Sequence, residues 1–236
     1  MNTKKKIVVL SGAGISSESG IRTFRDMGGL WKEFDVHEVA SPQGWENNPE
    51  LVLRFYNERR KQLLECRPNA AHFGLAALEQ HFDVEIVTQN VDDLHEQAGS
   101  TKVLHLHGEI KKARSTADPD LVYDIQGWEL KLGDKCEKGS QLRPHVVWFG
   151  EHVTAIMDAV PKFRHADFCV VVGTSLDVYP AAGLVEYVRG PAPVYLIDPN
   201  ETQMRTHRNV IFIKEKATSG VAVLTEMLNK FIPLTE

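Results

Sequence analysis

Six short apolar runs recur along the chain, at residues 7–10, 84–88, 103–106, 168–172, 194–197 and 210–213. They are nearly continuous rather than alternating, the pattern of strands buried on both faces of a parallel sheet. Between several of them lie helical patterns at 70–80, 154–163, 181–188 and 221–231. Strands alternating with helices predict an α/β fold, a doubly wound parallel sheet of Rossmann-like type with its ligand at the carboxyl ends of the strands. Two stretches break this rhythm. Residues 28–69 carry a helical pattern without such a strand, and 110–145 are polar with Gly127, Gly133 and Gly139 scattered through them. Both read as excursions that together form a smaller inserted module, packed around Leu121, Val122, Tyr123, Ile125, Trp128 and Leu130. Residues 1–27, 70–109 and 146–236 then make the main domain.

Composition narrows the class without naming a function. The 236 residues are 42% hydrophobic and 25% charged, values of an ordinary globular protein, and need no disulfide or metal merely to hold together. The net charge of −5 is dispersed, which argues against a nucleic-acid partner. The apolar run at 7–10 is too short for a secretory core, and no stretch approaches a bilayer span. Cys66, Cys136 and Cys169 are odd in number and unrelated in spacing, so no disulfide framework is expected. These features point to a cytoplasmic setting.

The chemistry begins at residues 11–25, which open with Ser11-Gly12-Ala13-Gly14-Ile15-Ser16 and close with Phe24-Arg25. A strand ending in Gly-Ala-Gly makes a turn whose backbone N–H groups can approach a phosphate, and a helix opening near Ser16 would add donors. Alone, such a turn serves tight backbone geometry equally well. Three more segments follow in order: Thr88-Gln89-Asn90-Val91-Asp92-Asp93-Leu94-His95, His105-Leu106-His107-Gly108-Glu109, and Gly173-Thr174-Ser175-Leu176. Together the four motifs resemble the sirtuin family of NAD-dependent protein lysine deacylases, over residues 5–228.

The resemblance implies that NAD is a consumed co-substrate. The acyl oxygen of a modified lysine attacks the ribose carbon bearing nicotinamide, nicotinamide leaves, an alkylimidate forms, and the acyl group passes to the ribose hydroxyls. Such chemistry needs a base near those hydroxyls, and imidazole titrates in the right range. His105 and His107 stand two apart in one extended segment, and spacing does not choose between them. The family's base immediately precedes a glycine, which selects His107, with Asn90 as the second catalytic residue. The resemblance further assigns Gln89 and Asn90 to the nicotinamide ribose and Asp92 to the carboxamide. It gives Gly12, Ala13, Gly14, Ser16, Phe24, Arg25, Gly173, Thr174, Ser175 and Asp198 to the rest of NAD. Asp93 reads as a helix-start residue. Arg22 replaces a proline common in the family, and Asp198 replaces a frequent asparagine.

Family members usually bind structural zinc through four cysteines in the small domain. Here Cys136 is the single cysteine between Gly108 and Arg143, so no zinc is expected. Tyr56 and Arg59 stand three apart on one helix face, and with Ala40 they resemble the subclass that removes succinyl and malonyl groups. Arg59 would clamp the distal carboxylate and Tyr56 would add a hydrogen bond. Residues 146–151 resemble the strand against which an acyl-lysine protein adds as a further β-strand, through Val147, Phe149, Gly150 and Glu151. Deacylation of succinyl, malonyl and acetyl lysine is thus the leading expectation. Mono-ADP-ribosyl transfer and a non-enzymatic NAD or ADP-ribose sensor are the alternatives. A hydride-transferring dehydrogenase is disfavoured because no turn fits Gly-x-Gly-x-x-Gly.

Overall fold

The computed structural model describes residues 4–22, 34–200 and 209–232. Along the chain these form β1 (Lys6–Ser11), α1 (Gly14–Ser17), α2 (Val36–Val39), α3 (Pro42–Asn47), α4 (Pro49–Glu65), α5 (Ala70–Ala77), β2 (Asp83–Thr88) and α6 (Leu94–Gln97). Then come β3 (Val103–His105), β4 (Gly108–Ser115), β5 (Val122–Asp124), β6 (Leu142–Val146), α7 (Ile156–Arg164), β7 (Phe168–Val172), β8 (Val194–Ile197), β9 (Val210–Ile213) and α8 (Ala217–Asn229). Short 3₁₀ turns extend α5 over Leu78–Gln80 and occupy Ala181–Tyr187.

Six strands form one parallel sheet in the order β3-β2-β1-β7-β8-β9. The apolar runs are continuous because both faces are covered. Ile7 and Val9 point into one core, shared with Ala71 and Leu75 of α5 and Val221 and Leu224 of α8. Val8 and Leu10 point into the other, shared with Ala159 and Phe163 of α7 and Leu184 of the second 3₁₀ turn. Successive β1 side chains alternate between two buried layers, as the period of two requires. From β1 the chain builds outward to β2 and β3 on one side, and β7, β8 and β9 build outward on the other. The switch point therefore lies between the carboxyl ends of β1 and β7, where an open α/β sheet leaves a crevice for a ligand.

The polar stretch 110–145 holds a structure its sequence did not announce, a three-stranded antiparallel sheet in the order β5-β4-β6. Its small core also differs from expectation. Leu53, Ala113 and Leu130 form it, flanked by Trp45, Ile125 and Leu142. Val122, on the three-residue edge strand β5, and Trp128, in the loop beyond it, stay partly exposed. Helix α4 braces this sheet. Asn48 caps it by accepting from Leu51 N–H at 3.0 Å, and Pro49 opens its first turn. Fully buried Arg60 donates to the carbonyls of Ile110 (2.6 Å) and Trp128 (2.7 Å), tying α4 to β4 and to the loop beyond β5. All three cysteines are free and buried. Among the described residues no helix is long and apolar enough to cross a membrane.

Candidate active site

The chain leaves β1 at Gly12 and β7 at Gly173, and the two exits touch. Gly12 N–H donates to Val172 O (3.1 Å) and Gly14 N–H to Gly173 O (2.8 Å). A Cβ on Gly12 would sit 2.7 Å from Gly173 O. One on Gly173, whose φ is +66°, would sit 2.2 Å from Ile15 N. Glycine is needed here because two backbones approach without room for side chains. Ala13 lies between them. The helix expected near Ser16 is a single turn, α1, and the N–H groups of Gly14, Ile15 and Ser16 are taken by the carbonyls of Gly173, Gly12 and Ala13.

At the end of β2, Gln89 reaches across the crevice and its Nε2 donates to Thr174 Oγ1 at 2.9 Å. Asn90 is held on every side. Its N–H donates to Thr88 Oγ1 (3.0 Å), its carbonyl accepts from His105 Nδ1 (2.9 Å), and its Nδ2 lies 3.2 Å from both Gly12 O and Ser16 Oγ. Asp92 accepts from Ser16 Oγ (3.1 Å) and from Leu94 N–H (3.2 Å). Burial pushes its carboxyl up, and those two donors offset only part of the rise. Asp93 stands at the start of α6, as expected, but its side chain makes no cap bond, and Leu94 N–H is accepted by Asp92. The Asp93 carboxylate instead accepts from Gln97 and pairs with Lys111 at 2.6 Å.

The two histidines make the same bond one residue apart. His107 Nδ1 lies 2.9 Å from Gln89 O, and His105 Nδ1 lies 2.9 Å from Asn90 O. A carbonyl only accepts, so each Nδ1 carries a proton. The rings differ at Nε2. That of His105 meets Glu96 Oε1 at 2.8 Å, another acceptor, so both nitrogens are protonated and the ring is a cation. Burial opposes that charge, yet the Glu96 bond and charge still raise His105 above the usual imidazole range. His107 Nε2 has no hydrogen-bond partner among the described residues, and burial holds the ring below the usual range, partly offset by the Gln89 carbonyl. His107 is therefore a neutral imidazole with an available lone pair at the crevice, the state a general base requires at neutral pH.

Ala40, Tyr56 and Trp148 share one buried cluster beside the crevice. Tyr56 Oη accepts from Trp148 Nε1 at 3.1 Å, which leaves its own proton to donate. Burial pushes the phenol up to about 12, with Arg59 pulling the other way. Arg59 is half-buried and lines a cleft with Ala13, Arg22, Asn90 and Asp92. Burial lowers its guanidinium to about 10, opposed by Tyr56 and Asp92, so it stays charged at neutral pH.

The expected strand over 146–151 ends at Val146. Residues 148–151 form a turn instead, closed by Glu151 N–H on Trp148 O (3.0 Å) with Gly150 at φ +91°. Val147 N–H donates to His107 O (2.9 Å) and Phe149 N–H to Ala40 O (3.0 Å), which hangs the turn between the histidine and the acyl-pocket candidates. Phe149 is 47% exposed. The Glu151 carboxylate is already engaged: Arg143 NH1 donates at 2.7 Å, Arg114 NH2 at 3.0 Å and Trp148 N–H at 2.8 Å. Burial alone would push it up, but these donors hold it below the usual range. Arg143 also stacks 3.2 Å from the Trp148 ring centroid. Nothing in the sequence flagged this charged brace.

On the β7 side, Thr174 is buried and Ser175 exposed, and Leu176 N–H is accepted by Thr174 Oγ1 at 3.3 Å. Asp198 follows β8 at the same sheet edge and caps Asn200 N–H at 2.7 Å. Phe24 and Arg25 lie outside the described residues. The glycine turns after β1 and β7, with the amides of Gln89 and Asn90 and the Asp92 carboxyl beside them, fit a dinucleotide. A four-ligand zinc site fits poorly: Cys136 lies 3.4 Å from Ser115 Oγ, and no group of three potential ligands occurs among the described residues.

The model of the Sir2 family matches residues 12–180, from Gly12 to the loop beyond Ser175. The chain belongs to the Sir2 family. Among curated relatives, the NAD-dependent protein deacylase of Helicobacter pylori strain J99 is 51% identical over 232 residues, covering 98% of this chain and 97% of the relative. That of Bacteroides thetaiotaomicron is also 51% identical, covering 95% and 98%. Among solved structures, a Sir2 homologue bound to ADP-ribose superposes with a TM-score of 0.89 at 36% identity, over 98% of this chain and 96% of that one. A Sir2 homologue bound to NAD superposes at 0.86 and 37%, over 98% and 91%. A Sir2 protein carrying a deacetylated peptide and 3′-O-acetyl-ADP-ribose superposes at 0.81 and 30%, over 98% and 96%. Within this Sir2 chain, sequence reading missed Ser11, Thr88 and Glu96 around Asn90, and Arg114 and Arg143 around Glu151. Apart from the local bond of Thr88 to Asn90 N–H, these residues act through partners eight or more positions away in sequence.

Proposed function

We propose that this Sir2-family chain is an NAD-dependent protein lysine deacylase acting on acetyl, malonyl and succinyl lysine. NAD, when bound, supplies an activated ribose carbon and the hydroxyls that receive the acyl group. The glycine turns at Gly12, Ala13, Gly14 and Gly173 lie against its pyrophosphate, with Ser16, Thr174, Ser175 and Asp198 on the flanking phosphate and ribose oxygens. Gln89 and Asn90 address the nicotinamide ribose, and Asp92 the carboxamide. His107 Nε2 accepts a proton from a ribose hydroxyl while Nδ1 keeps its bond to Gln89 O. The observation that carries this reading is the contrast between the two histidines. One is a charged, doubly bonded ring and the other a neutral ring with an open lone pair.

The acyl-lysine segment adds as a strand beside residues 147–150, where Val147, Phe149 and Gly150 present main chain and Glu151 holds the turn. Tyr56, with a proton to donate, and the Arg59 cation address a distal carboxylate, and Ala40 leaves room for it. The residues around Cys136 supply too few thiolates for zinc, and the small module folds on packing alone.

The test is to incubate acetyl-, malonyl- and succinyl-lysine peptides with NAD and analyse the products by mass spectrometry. Free lysine with O-acyl-ADP-ribose is the expected result. Transfer of ADP-ribose to protein with the peptide unchanged would refute it. His107→Ala should lose about 10²–10⁴ in rate, as for a missing general base, while NAD still binds.

A further inference from the structure

Asn90 is reached from two adjacent residues of one short helix. From His95, on α6, Nε2 lies 2.9 Å from Ser11 Oγ, which lies 2.9 Å from Thr88 Oγ1, the acceptor for Asn90 N–H. His95, Ser11 and Thr88 are fully buried. From the next residue, Glu96, the carboxylate holds His105 Nε2, and His105 Nδ1 donates to Asn90 O. One arm fixes the N–H of Asn90 and the other its C=O.

We infer that Glu96 and His105 are positioning residues, a carboxylate–imidazolium arm that orients the Asn90 peptide and so aims its side chain at the ribose. This rests on the deacylase reading above and adds to it two residues with no contact to substrate. The physical case has three parts. First, a charged donor bonds a carbonyl more strongly than a neutral one, so the Glu96 carboxylate strengthens the clamp on Asn90 O. Second, it fixes the ring: with a carboxylate on Nε2, His105 has one orientation in which Nδ1 still meets Asn90 O. Third, His105 is nearly enclosed while Glu96 is accessible, with side-chain exposures of 8% and 39%, so the arm joins a buried peptide to the surface. Glu109 of β4 also faces the ring and is itself paired with Lys112 at 2.8 Å. Asp92 and His95 are the other titratable neighbours.

Without this arm the Asn90 side chain keeps its bonds to Gly12 O and Ser16 Oγ, and the Gln89–Asn90 peptide keeps the bond of its N–H to Thr88 Oγ1, but the Asn90–Val91 peptide loses its carbonyl anchor. A displacement approaching 1 Å at a reacting centre costs up to about 10²-fold, so a partial loss should cost about tenfold in kcat. The experiment measures kcat, KM for NAD, ADP-ribose affinity and Tm for wild type, Glu96→Ala, Glu96→Gln, His105→Ala and the Glu96→Ala/His105→Ala double variant. Expected are a kcat loss of about tenfold in His105→Ala and a smaller one in Glu96→Ala, with ADP-ribose affinity unchanged within about twofold. The double variant should be no worse than His105→Ala, because both residues act along one arm. Glu96→Gln should recover most of the rate, since its amide oxygen accepts the same bond. Should His105→Ala not fold, Glu96→Ala carries the test from an exposed position.

Lower Tm with unchanged kcat in the single variants would make the pair merely structural and overturn the inference, as would losses that multiply in the double variant. Wild-type protein that fails to deacylate would overturn the functional reading and this inference together. Wild-type turnover with unaffected variants overturns the inference alone.

Discussion

Gly173→Ala tests whether the crossing of the β1 and β7 exits is as tight as the geometry requires. The backbone at Gly173 has φ +66°, which costs an L-residue roughly 1–2 kcal/mol. The new Cβ would also stand 2.2 Å from Ile15 N and 2.7 Å from Gly14 C, backbone atoms that yield only if the whole turn moves. Overpacking of that kind costs roughly 1–3 kcal/mol more. Gly133 supplies the control. Its φ is +94°, yet nothing lies within 4 Å of a Cβ built there, so Gly133→Ala carries the conformational term without the collision. The difference between the variants is therefore the collision itself. At 2–4 °C per kcal/mol for a domain of this size, Gly173→Ala should melt roughly 2–12 °C below Gly133→Ala. Circular dichroism gives both Tm values, and calorimetric titration with NAD gives the second readout. Gly173→Ala should weaken NAD binding because the turn must shift into the crevice, whereas Gly133→Ala should bind as wild type. Equal melting temperatures, or full NAD affinity in Gly173→Ala, would show that the turn relaxes freely and that the close approach has no bearing on the site.

Three further outcomes follow from the same geometry. Burial depresses His72 to about 4 and His95 to about 3, below their unfolded value of 6.5, so the unfolded chain binds the extra protons. Their contribution is intact above pH 6.5 and is lost as pH falls toward 4, at up to about 1.4 kcal/mol per pH unit for each ring, so Tm should drop across that window and His72→Asn should flatten the drop. Arg59→Met should lower desuccinylation roughly 10- to 100-fold, the equivalent of a charge-assisted contact of about 1.5–3 kcal/mol, and leave deacetylation nearly unchanged; equal losses on both peptides would make Arg59 structural. Elemental analysis should find no stoichiometric zinc and chelators should leave Tm unchanged, whereas about one zinc per chain would reverse that reading.

The sequence by itself determined the parallel sheet. Residues 168–172 read as a buried strand because all five are buried, and a strand covered on both faces writes an unbroken apolar run. The glycine turn at 12–14 and the amides at 89–90 were legible because their chemistry is carried by residue type. The antiparallel sheet was not legible. β4 alternates irregularly between buried and half-buried positions, and β5 is a three-residue edge, so neither writes a period. Nor did spacing separate His105, the last residue of β3, from His107 in the turn that follows, since both are histidines whose Nδ1 meets a carbonyl just beyond β2. Glu96 separates them, nine positions before His105 and brought to its Nε2 by the packing of α6. The turn at 148–151 likewise depends on Arg114, Arg143 and Glu151 meeting across β4 and β6. Local pattern reports how deeply each position is buried. Which partner a polar group finds there, and hence its charge, is decided only when distant segments meet.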